Sequence, residues 1–395
     1  MKLFTRVFLL FILFVMANIA GAVEINGGVG LTHTKAAWVA KKGYLTVLPH
    51  TRFWGKVSEN DNETEEGRTA VTYWDVQGLL SINYGISEHF SFNITPILYQ
   101  DINQGEYDEY PWDTFIGLKI GSYGAKESPF KFGMELATRF PTGEKHNVVF
   151  EDYTAGSAEW GFTALASYAL DRLFPEDGLN AHLNLGYWNH NDVGQNLAPD
   201  SLLSDEFKKI KSVLDPSQAF RYAIGVEFPT ESFNYALEIY GNSWIQKPPE
   251  LAASREGYTY LNASIKYKPY RWFDFIVSGD IRISGDRDDT IGPRASRHDL
   301  PNYSSWRINV GAKFVILPTS VYQIKERDIL MRKAETRREV FEQIIKEKKD
   351  TESAEQELER IKQEREKAEK ELDRLKRILE GKEQVPPPDS ENQKN

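Results

Sequence analysis

The stretch that decides the fold is residues 72–86, TYWDVQGLLSINYGI. From Trp74 to Ile86, every second residue is apolar, aromatic or glycine, while most of the residues between them, such as Asp75 and Asn83, are polar. Successive side chains of a β-strand point to opposite faces. Alternation with a period of two over this length therefore predicts a strand with one apolar and one polar face rather than a helix.

The same alternation recurs from residue 44 to residue 316. The next run sets Phe90, Phe92 and Ile94 against Ser91 and Asn93. Reading the whole region in this way predicts an all-β fold with about twelve strands. Their predicted ranges are 44–57, 72–86, 90–100, 112–123, 130–140, 159–170, 179–190, 218–229, 233–244, 258–268, 272–284 and 305–316.

Strand length and connection length favour a transmembrane antiparallel β-barrel over a soluble two-sheet sandwich, whose strands also alternate. Each predicted strand exceeds ten residues, whereas globular strands are typically ~5–6 residues long and a tilted membrane strand needs ~9–11. Long polar connections alternate with short ones, as in outer-membrane barrels. Aromatic residues such as Trp74 and Trp160 end the apolar faces, which suits the membrane interfaces. The sheet must then close, because lipid offers no partner to an open edge.

The first residues have the pattern of a targeting signal. Lys2 and Arg6 accompany an apolar run that ends near Ala17, and Ala20-Gly21-Ala22 has the small residues of a cleavage site. The alternative, a membrane anchor, needs about 20 apolar residues, more than the run provides. We therefore expect a signal peptide over 1–22, an N-terminal periplasmic segment over 23–43, and a barrel over 44–317 in a Gram-negative outer membrane.

After the barrel the composition changes to Glu, Lys and Arg, which predicts a charged helix over 318–381 and a disordered tail over 382–395. Apolar residues in the helix recur at spacings of three and four, which is typical of a coiled coil. A lone helix held by i,i+4 ion pairs is the alternative. We expect the helix to lie in the periplasm and to contact a second copy or a periplasmic partner. The seam residues are Leu358, Ile361, Ala368, Leu372, Leu375 and Leu379.

The inward faces of the predicted strands carry charged residues of both signs. In an open barrel they would line a polar channel, whereas ion pairs between them could plug a lumen as narrow as twelve strands allow. We favour the channel, and because the signs are nearly balanced they do not predict which ions it would select. The pore-lining candidates are Asp75, Asp113, Lys119, Lys131, Glu135, Arg139, Arg221, Glu238, Lys266, Asp280, Arg282 and Arg307.

The last predicted strand carries a spaced set of residues: Asn309, Gly311 two positions later, Phe314 five later and Ile316 seven later. This set resembles the terminal-strand signal that the barrel-insertion machinery reads. The resemblance implies that this machinery and outer-membrane lipid are partners of the chain. It differs from the usual signal in that almost eighty residues follow it.

Three short motifs resemble the outer-membrane β-barrel transporters of the meta-pathway phenol-degradation type. They are Tyr84-Gly85-Ile86 before a tight turn, Trp112-Asp113 with Gly117 and Lys119, and Phe140-Pro141-Thr142-Gly143. The resemblance covers the barrel region only. It implies a barrel that transports small, often apolar, compounds.

Composition narrows the other classes of function. The net charge of −10 at pH 7, with no basic stripe, argues against nucleic-acid binding, and the absence of cysteine excludes disulfides and thiolate sites. His89-Phe90-Ser91 places a base and a nucleophile on one strand face, but no third group that would orient the base is evident, so we favour a chance pairing. We expect no enzyme activity, cofactor or metal site.

The sequence thus predicts an outer-membrane channel for passive uptake or release of small solutes, apolar or aromatic ones among them. The alternative is a structural barrel that anchors a periplasmic helix to the cell wall or to a partner protein. An outer-membrane hydrolase is a distant third.

Overall fold

The computed structural model describes residues 28–60, 69–102, 113–125, 128–143, 146–198, 210–285, 290, 302–322 and 326–379. The expected signal peptide and disordered tail lie outside these residues. The chain divides into two compact units, Met1–Gln323 and Ile324–Asn395.

Twelve strands form one closed antiparallel barrel, in which each strand pairs with its neighbours in sequence and the first pairs with the last. This confirms the predicted twelve-stranded architecture. The strands are β1 (Leu45–Asn60), β2 (Thr69–Gly85), β3 (Phe90–Ile102), β4 (Thr114–Tyr123), β5 (Phe130–Phe140), β6 (Glu159–Ala169), β7 (Asn180–Asn189), β8 (Gln218–Pro229), β9 (Phe233–Gln246), β10 (Tyr258–Tyr270), β11 (Phe273–Arg282) and β12 (Trp306–Leu317).

The two faces of the strands separate as the alternation predicts. In β2, Gln77, Ser81 and Asn83 are buried inside the barrel, whereas Tyr84 on the opposite face is 41% exposed. Large apolar side chains cover the outside of the barrel, an area far beyond what a water-soluble monomer usually exposes. Among them are Phe92, Phe132, Leu136, Phe162, Leu183, Leu185, Ile224, Val226, Leu237, Ile239, Ile265, Val277 and Val310.

The two ends of the barrel differ in their connections. We call the end with the short connections, at 86–89, 170–179 and 230–232, the turn end. The opposite end, which carries the long connections 141–158, 190–217 and 247–257, is the loop end. Side chains from these three long connections pack into one small apolar cluster that includes Tyr153, Leu197, Val213 and Leu251.

The segment before β1 differs from the expected periplasmic segment over 23–43. Residues 28–40, which we call the luminal hairpin, lie within the barrel, where their backbone bonds to inward side chains of β4, β6, β7 and β9. They enter from the turn end, where Gly43 N donates to Gly85 O. The hairpin reverses direction at residues 31–34, where Leu31 N donates to Thr34 O at 2.7 Å, and Gly30 pairs with Lys35. Its sequence lacks alternation because it is held by single side chains, not by a ladder.

The barrel unit continues a few residues beyond the expected boundary at 317. A short 3-10 turn, Thr319–Tyr322, packs back on the wall. Val321 is 4% exposed beside Trp272 and Val315, and the hydroxyl of Tyr322 donates to Val315 O. This apolar contact assigns residues 318–322 to the barrel rather than to the charged helix.

The second unit contains one long α-helix, α1 (Glu326–Leu379), of 54 residues. The seam residues Leu358 and Ile361 lie on it with exposed side chains, and Ala368, Leu372, Leu375 and Leu379 fall within its bounds. Three i,i+4 ion pairs run along its surface, between Arg338 and Glu342, Arg365 and Glu369, and Lys370 and Glu366. Pairing of the seam in a coiled coil stays a prediction. Among the described residues, no helix is both long and apolar enough to cross a membrane.

Candidate functional site: the lumen and its loop end

The luminal hairpin is fastened at its tip by one carboxylate. Glu238, 1% exposed on β9, accepts three backbone N–H bonds: from Thr32 at 2.9 Å, from His33 at 2.9 Å and from Thr34 at 2.7 Å. His33 Nε2 also lies 3.0 Å from Asp280 Oδ1, and its ring stacks on Tyr240. Hydrogen bonds to a charged acceptor are the stronger kind, so Glu238 is the main clamp on the hairpin.

Further contacts follow the hairpin back to the turn end. Lys35 forms an ion pair with Glu135 at 2.9 Å, and its backbone N–H and carbonyl both bond to the side chain of Asn184. Lys119 Nζ donates to the carbonyls of residues 29 and 36 at 2.8 and 3.1 Å. Ala37 N donates to Ser167 Oγ at 2.7 Å. All of these bonds are polar and reversible.

Glycines make room for the hairpin on the wall. A Cβ at Gly121 would overlap the carbonyl oxygen of Ala37, and a Cβ at Gly85 would overlap that of Lys41. Both positions face inward where the segment runs closest to the strands. These glycines were the only signal in the sequence that a second backbone lies against the inner wall, since glycine permits such close approach.

Beside the hairpin, charged residues pair across the strands. Arg139 bonds to Asp113 at 2.6 Å, Lys266 to Glu227 at 3.1 Å, and Lys313 to Asp274. A cavity beside the hairpin tip has a volume of about 30 Å³ and is lined by Leu31, His50 and Lys266, among others. Such a space holds one or two water molecules. The hairpin and these ion pairs thus narrow the lumen around the tip.

The loop end is closed by a second element. Residues 146–158 of the connection between β5 and β6, which we call the inward loop, fold into the barrel. Phe150 is fully buried against Trp54 of β1, and its N–H donates to Asn302 O. Glu151 accepts from Gln100 at 2.6 Å and pairs with Arg52.

Asp152 of the inward loop faces three further arginines. Burial raises the pKa of its carboxyl, but the charges of Arg221, Arg307 and Arg139, with a hydrogen bond from Tyr258, outweigh this effect and set the pKa below its usual value of 3.8. Arg307 Nη2 donates to Phe150 O, and Arg139 Nη1 donates to Asp152 O, both at 3.4 Å. The carboxylates of the inward loop thus meet an arginine cluster.

Each arginine of this cluster except Arg52 also lies against an aromatic ring. The guanidinium carbons of Arg221, Arg307 and Arg139 lie 4.1, 4.8 and 5.4 Å from the ring centres of Trp188, Tyr260 and Phe115. Such cation–π contacts fix a guanidinium in place. Among the described residues, Nε of Arg52, of Arg221 and of Arg307 has no hydrogen-bond partner.

The twelve predicted pore-lining residues all lie on the inner wall, and nine are buried. The structure gathers them into distinct groups: Glu238 and Asp280 at the hairpin tip, Glu135 and Lys119 along its flank, and Arg139, Arg221 and Arg307 at the loop end. Lys131 sits at the turn end and donates to the carbonyls of Gly124 and Ala125. Asp75 bonds to Arg52 at 3.2 Å. Arg282 and Lys266 lie on β11 and β10. That these residues line a conducting pore stays a prediction.

The remaining predicted sites are placed as follows. Asn309 and Gly311 lie inward on β12, whereas Ile316 is 42% exposed on its outer face and Phe314 packs against Trp272. Reading of this set by the insertion machinery stays a prediction. His89 precedes β3 and its Nδ1 lies 2.9 Å from Gly121 O. No bond joins His89 to Ser91 among the described residues. There, too, no three His, Asp or Glu side chains group as metal ligands.

Fold and site together define a closed antiparallel β-barrel of twelve strands, with an apolar outside and a lumen occupied by its own N-terminal segment. No family model matches the chain, and no curated protein matches it. Among solved structures, a NanC porin is similar over 68% of this chain and 98% of its own, with 13% identity and a TM-score of 0.42.

Two outer-membrane channels also align with this chain. The outer membrane channel from Pseudomonas putida F1 aligns over 71% of this chain and 98% of its own, at 10% identity and a TM-score of 0.43. DcaP of Acinetobacter baumannii aligns over 71% and 100%, at 11% identity and a TM-score of 0.27. At such values the likeness carries no conclusion about function, which has to rest on the geometry of this chain.

Proposed function

We propose that this protein is an outer-membrane channel for the passive passage of small solutes, with the luminal hairpin as its gate. The observation that carries the proposal is that the hairpin is held at separate points, mostly by polar bonds to single side chains with Glu238 as the main clamp, and by a backbone bond from Ser122 N to Ala37 O.

The outer surface of the barrel supports a location in the outer membrane. Its apolar side chains would be unstable in water, and a closed sheet satisfies its backbone bonds in lipid. The location of α1 in the periplasm, and reading of the β12 signal by the insertion machinery, are part of this proposal. The resemblance of three short motifs to meta-pathway phenol-degradation barrels is the reason why we extend the proposal to small aromatic solutes.

A disulfide lock tests the gate, since the chain has no native cysteine to interfere. Ala37 N lies 2.7 Å from Ser167 Oγ, so Ala37→Cys with Ser167→Cys should bridge the hairpin to β6. In planar bilayers we expect brief openings of the full-length protein, none from the oxidised double variant, and recovery after reduction. Each single-cysteine variant, treated with the same oxidant, is the matched control and should behave like the unmodified chain.

Deletion of residues 28–40 provides the opposite perturbation. We expect long-lived openings from this variant, because its lumen loses the hairpin while the twelve strands remain. Folding is checked by heat-modifiable migration in gels. A folded deletion variant that is silent in bilayers, together with a silent full-length chain, would refute the channel.

The competing function is a structural barrel that anchors α1. Two features favour it. The luminal hairpin occupies part of the lumen, and the 54-residue helix α1 has a charged sequence and spans about 80 Å at 1.5 Å per residue. An anchor predicts no conductance in any variant and loss of a periplasmic cross-link when α1 is removed.

A further inference from the structure

The inward loop presents two carboxylates to a set of arginines that lie on the inner wall of the barrel. Glu151 bonds to Arg52 and Gln100. Arg307 and Arg139 donate to the loop carbonyls of Phe150 and Asp152, both at 3.4 Å, and the positive charge of Arg221 helps to lower the pKa of the Asp152 carboxyl. These arginines come from β1, β5, β8 and β12, so they line opposite sides of the lumen. A group that neutralises them from the centre has to be an anion small enough to enter the barrel.

The wall alone compensates these arginines only in part. Arg139 has Asp113 and Arg52 has Asp75 as wall partners. Asp280 lies directly across from Arg307 in the register of β11 and β12, but its oxygens already accept bonds from Asn262 and Asn309, and one lies 3.0 Å from His33. The guanidiniums of Arg307 and Arg221 lie against the rings of Tyr260 and Trp188. Arg307 is 5% exposed, and its Nε has no partner among the described residues. Burial of a cation without a paired anion is costly. The loop carboxylates supply that anion in the closed conformation.

We propose that Arg52, Arg139, Arg221 and Arg307 form a binding site for small organic carboxylates, and that Glu151 and Asp152 occupy it as an internal substitute for the solute. Guanidinium groups pair well with carboxylates because two N–H donors can face two oxygens. The rings of Trp188, Tyr260 and Phe115 hold the guanidiniums and add apolar surface beside the site. This deepens the proposed channel function by naming its solute class, and rests on that function only for transport.

Binding of benzoate to the purified full-length protein tests the site without requiring conduction. In E151Q/D152N the internal competitor loses its charge, so calorimetry should find benzoate bound at least tenfold more tightly than by the unmodified protein. Adding R221Q/R307Q to that background should abolish binding. The matched control is Arg172→Gln in the E151Q/D152N background, which removes the same charge at the exposed turn end and should leave binding intact. Benzyl alcohol, the neutral ring, should not compete.

The outcomes separate the two proposals. Equal affinity of E151Q/D152N and the unmodified protein for benzoate, or binding that survives R221Q/R307Q in a folded protein, would overturn the site whether or not the barrel conducts. Silent bilayers with tight, arginine-dependent benzoate binding would remove the channel and leave the site. In a conducting protein, E151Q/D152N should shift the reversal potential in a KCl gradient towards anions, and a shift towards cations would contradict the proposal.

Discussion

Replacing Glu238 with glutamine should release the luminal hairpin. The amide keeps one acceptor oxygen, so at least one of the three N–H groups of Thr32, His33 and Thr34 loses its partner and faces an NH₂ donor instead. A bond to a charged group contributes about 1.5–3 kcal/mol net, and a neutral one about 1 kcal/mol. Loss of one bond and weakening of the other two amounts to about 3 kcal/mol, or roughly a 100-fold larger open population.

Hydrogen exchange measures this release directly, because exchange of the three amides requires local opening. We expect their protection in Glu238→Gln to fall by about 100-fold, with a matching rise in open probability in bilayers. Glu227→Gln is the control: Glu227 is also buried on the inner wall, but its partners are Lys266 and Asn234. Both variants remove the charge of a buried carboxylate, so this effect is the same in the variant and in its control. Unchanged protection at residues 32–34 in Glu238→Gln, or an equal loss in Glu227→Gln, would refute the clamp.

Three further predictions concern the tail and the inward loop. Deletion from Ile324 onward should leave barrel folding and unit conductance intact, and a deletion that unfolds the barrel would contradict the boundary. By comparison, Val321→Ala should destabilise the barrel by about 2 kcal/mol through lost burial, as measured by unfolding in denaturant. Leu372→Asp with Leu375→Asp should abolish any cross-linked oligomer of the full-length chain, since charge in an apolar seam opposes pairing; persistence of the oligomer would exclude that seam. The folded pKa of Asp152 is below 3.8, so its stabilisation of the docked loop is present above that value and is lost as pH falls through the lower folded pKa. The docked loop should thus lose the contribution of Asp152 only below about pH 4. The difference in acid-induced opening between the unmodified protein and Asp152→Asn measures this contribution, and an identical acid transition in Asp152→Asn would contradict the assignment.

The sequence is sufficient to predict the strands that form the wall of the barrel, but not the segments that lie inside it. Alternation in β2 and its counterparts fixes which side chains face inward, because strand geometry leaves only two faces. The luminal hairpin has no such period: its backbone bonds to side chains such as Glu238 and Ser167 that lie more than a hundred residues away. Position 121 has to be glycine because the carbonyl oxygen of Ala37 lies against it, a contact that only the three-dimensional fold shows.

The arginine cluster could be predicted in part. Alternation places Arg139, Arg221 and Arg307 on the inner faces of their strands, but their common height in the barrel depends on the register of β5, β8 and β12, which alternation does not determine. The sequence places the inward loop among the long polar connections, since nothing local distinguishes Glu151 and Asp152 from solvated acids.

The luminal hairpin also constrains how the molecule can assemble. It is attached directly to β1, yet its partners are spread along the chain, and the bond from His33 to Asp280 spans 247 residues. Contacts of such long range form slowly. The seam between β1 and β12 joins the two ends of the sheet and closes the wall, and strand number and stagger set the diameter of that wall. The hairpin therefore reaches its partners on β6, β9 and β11 only when the strands that carry them stand around it, so its docking reports that the barrel has been completed.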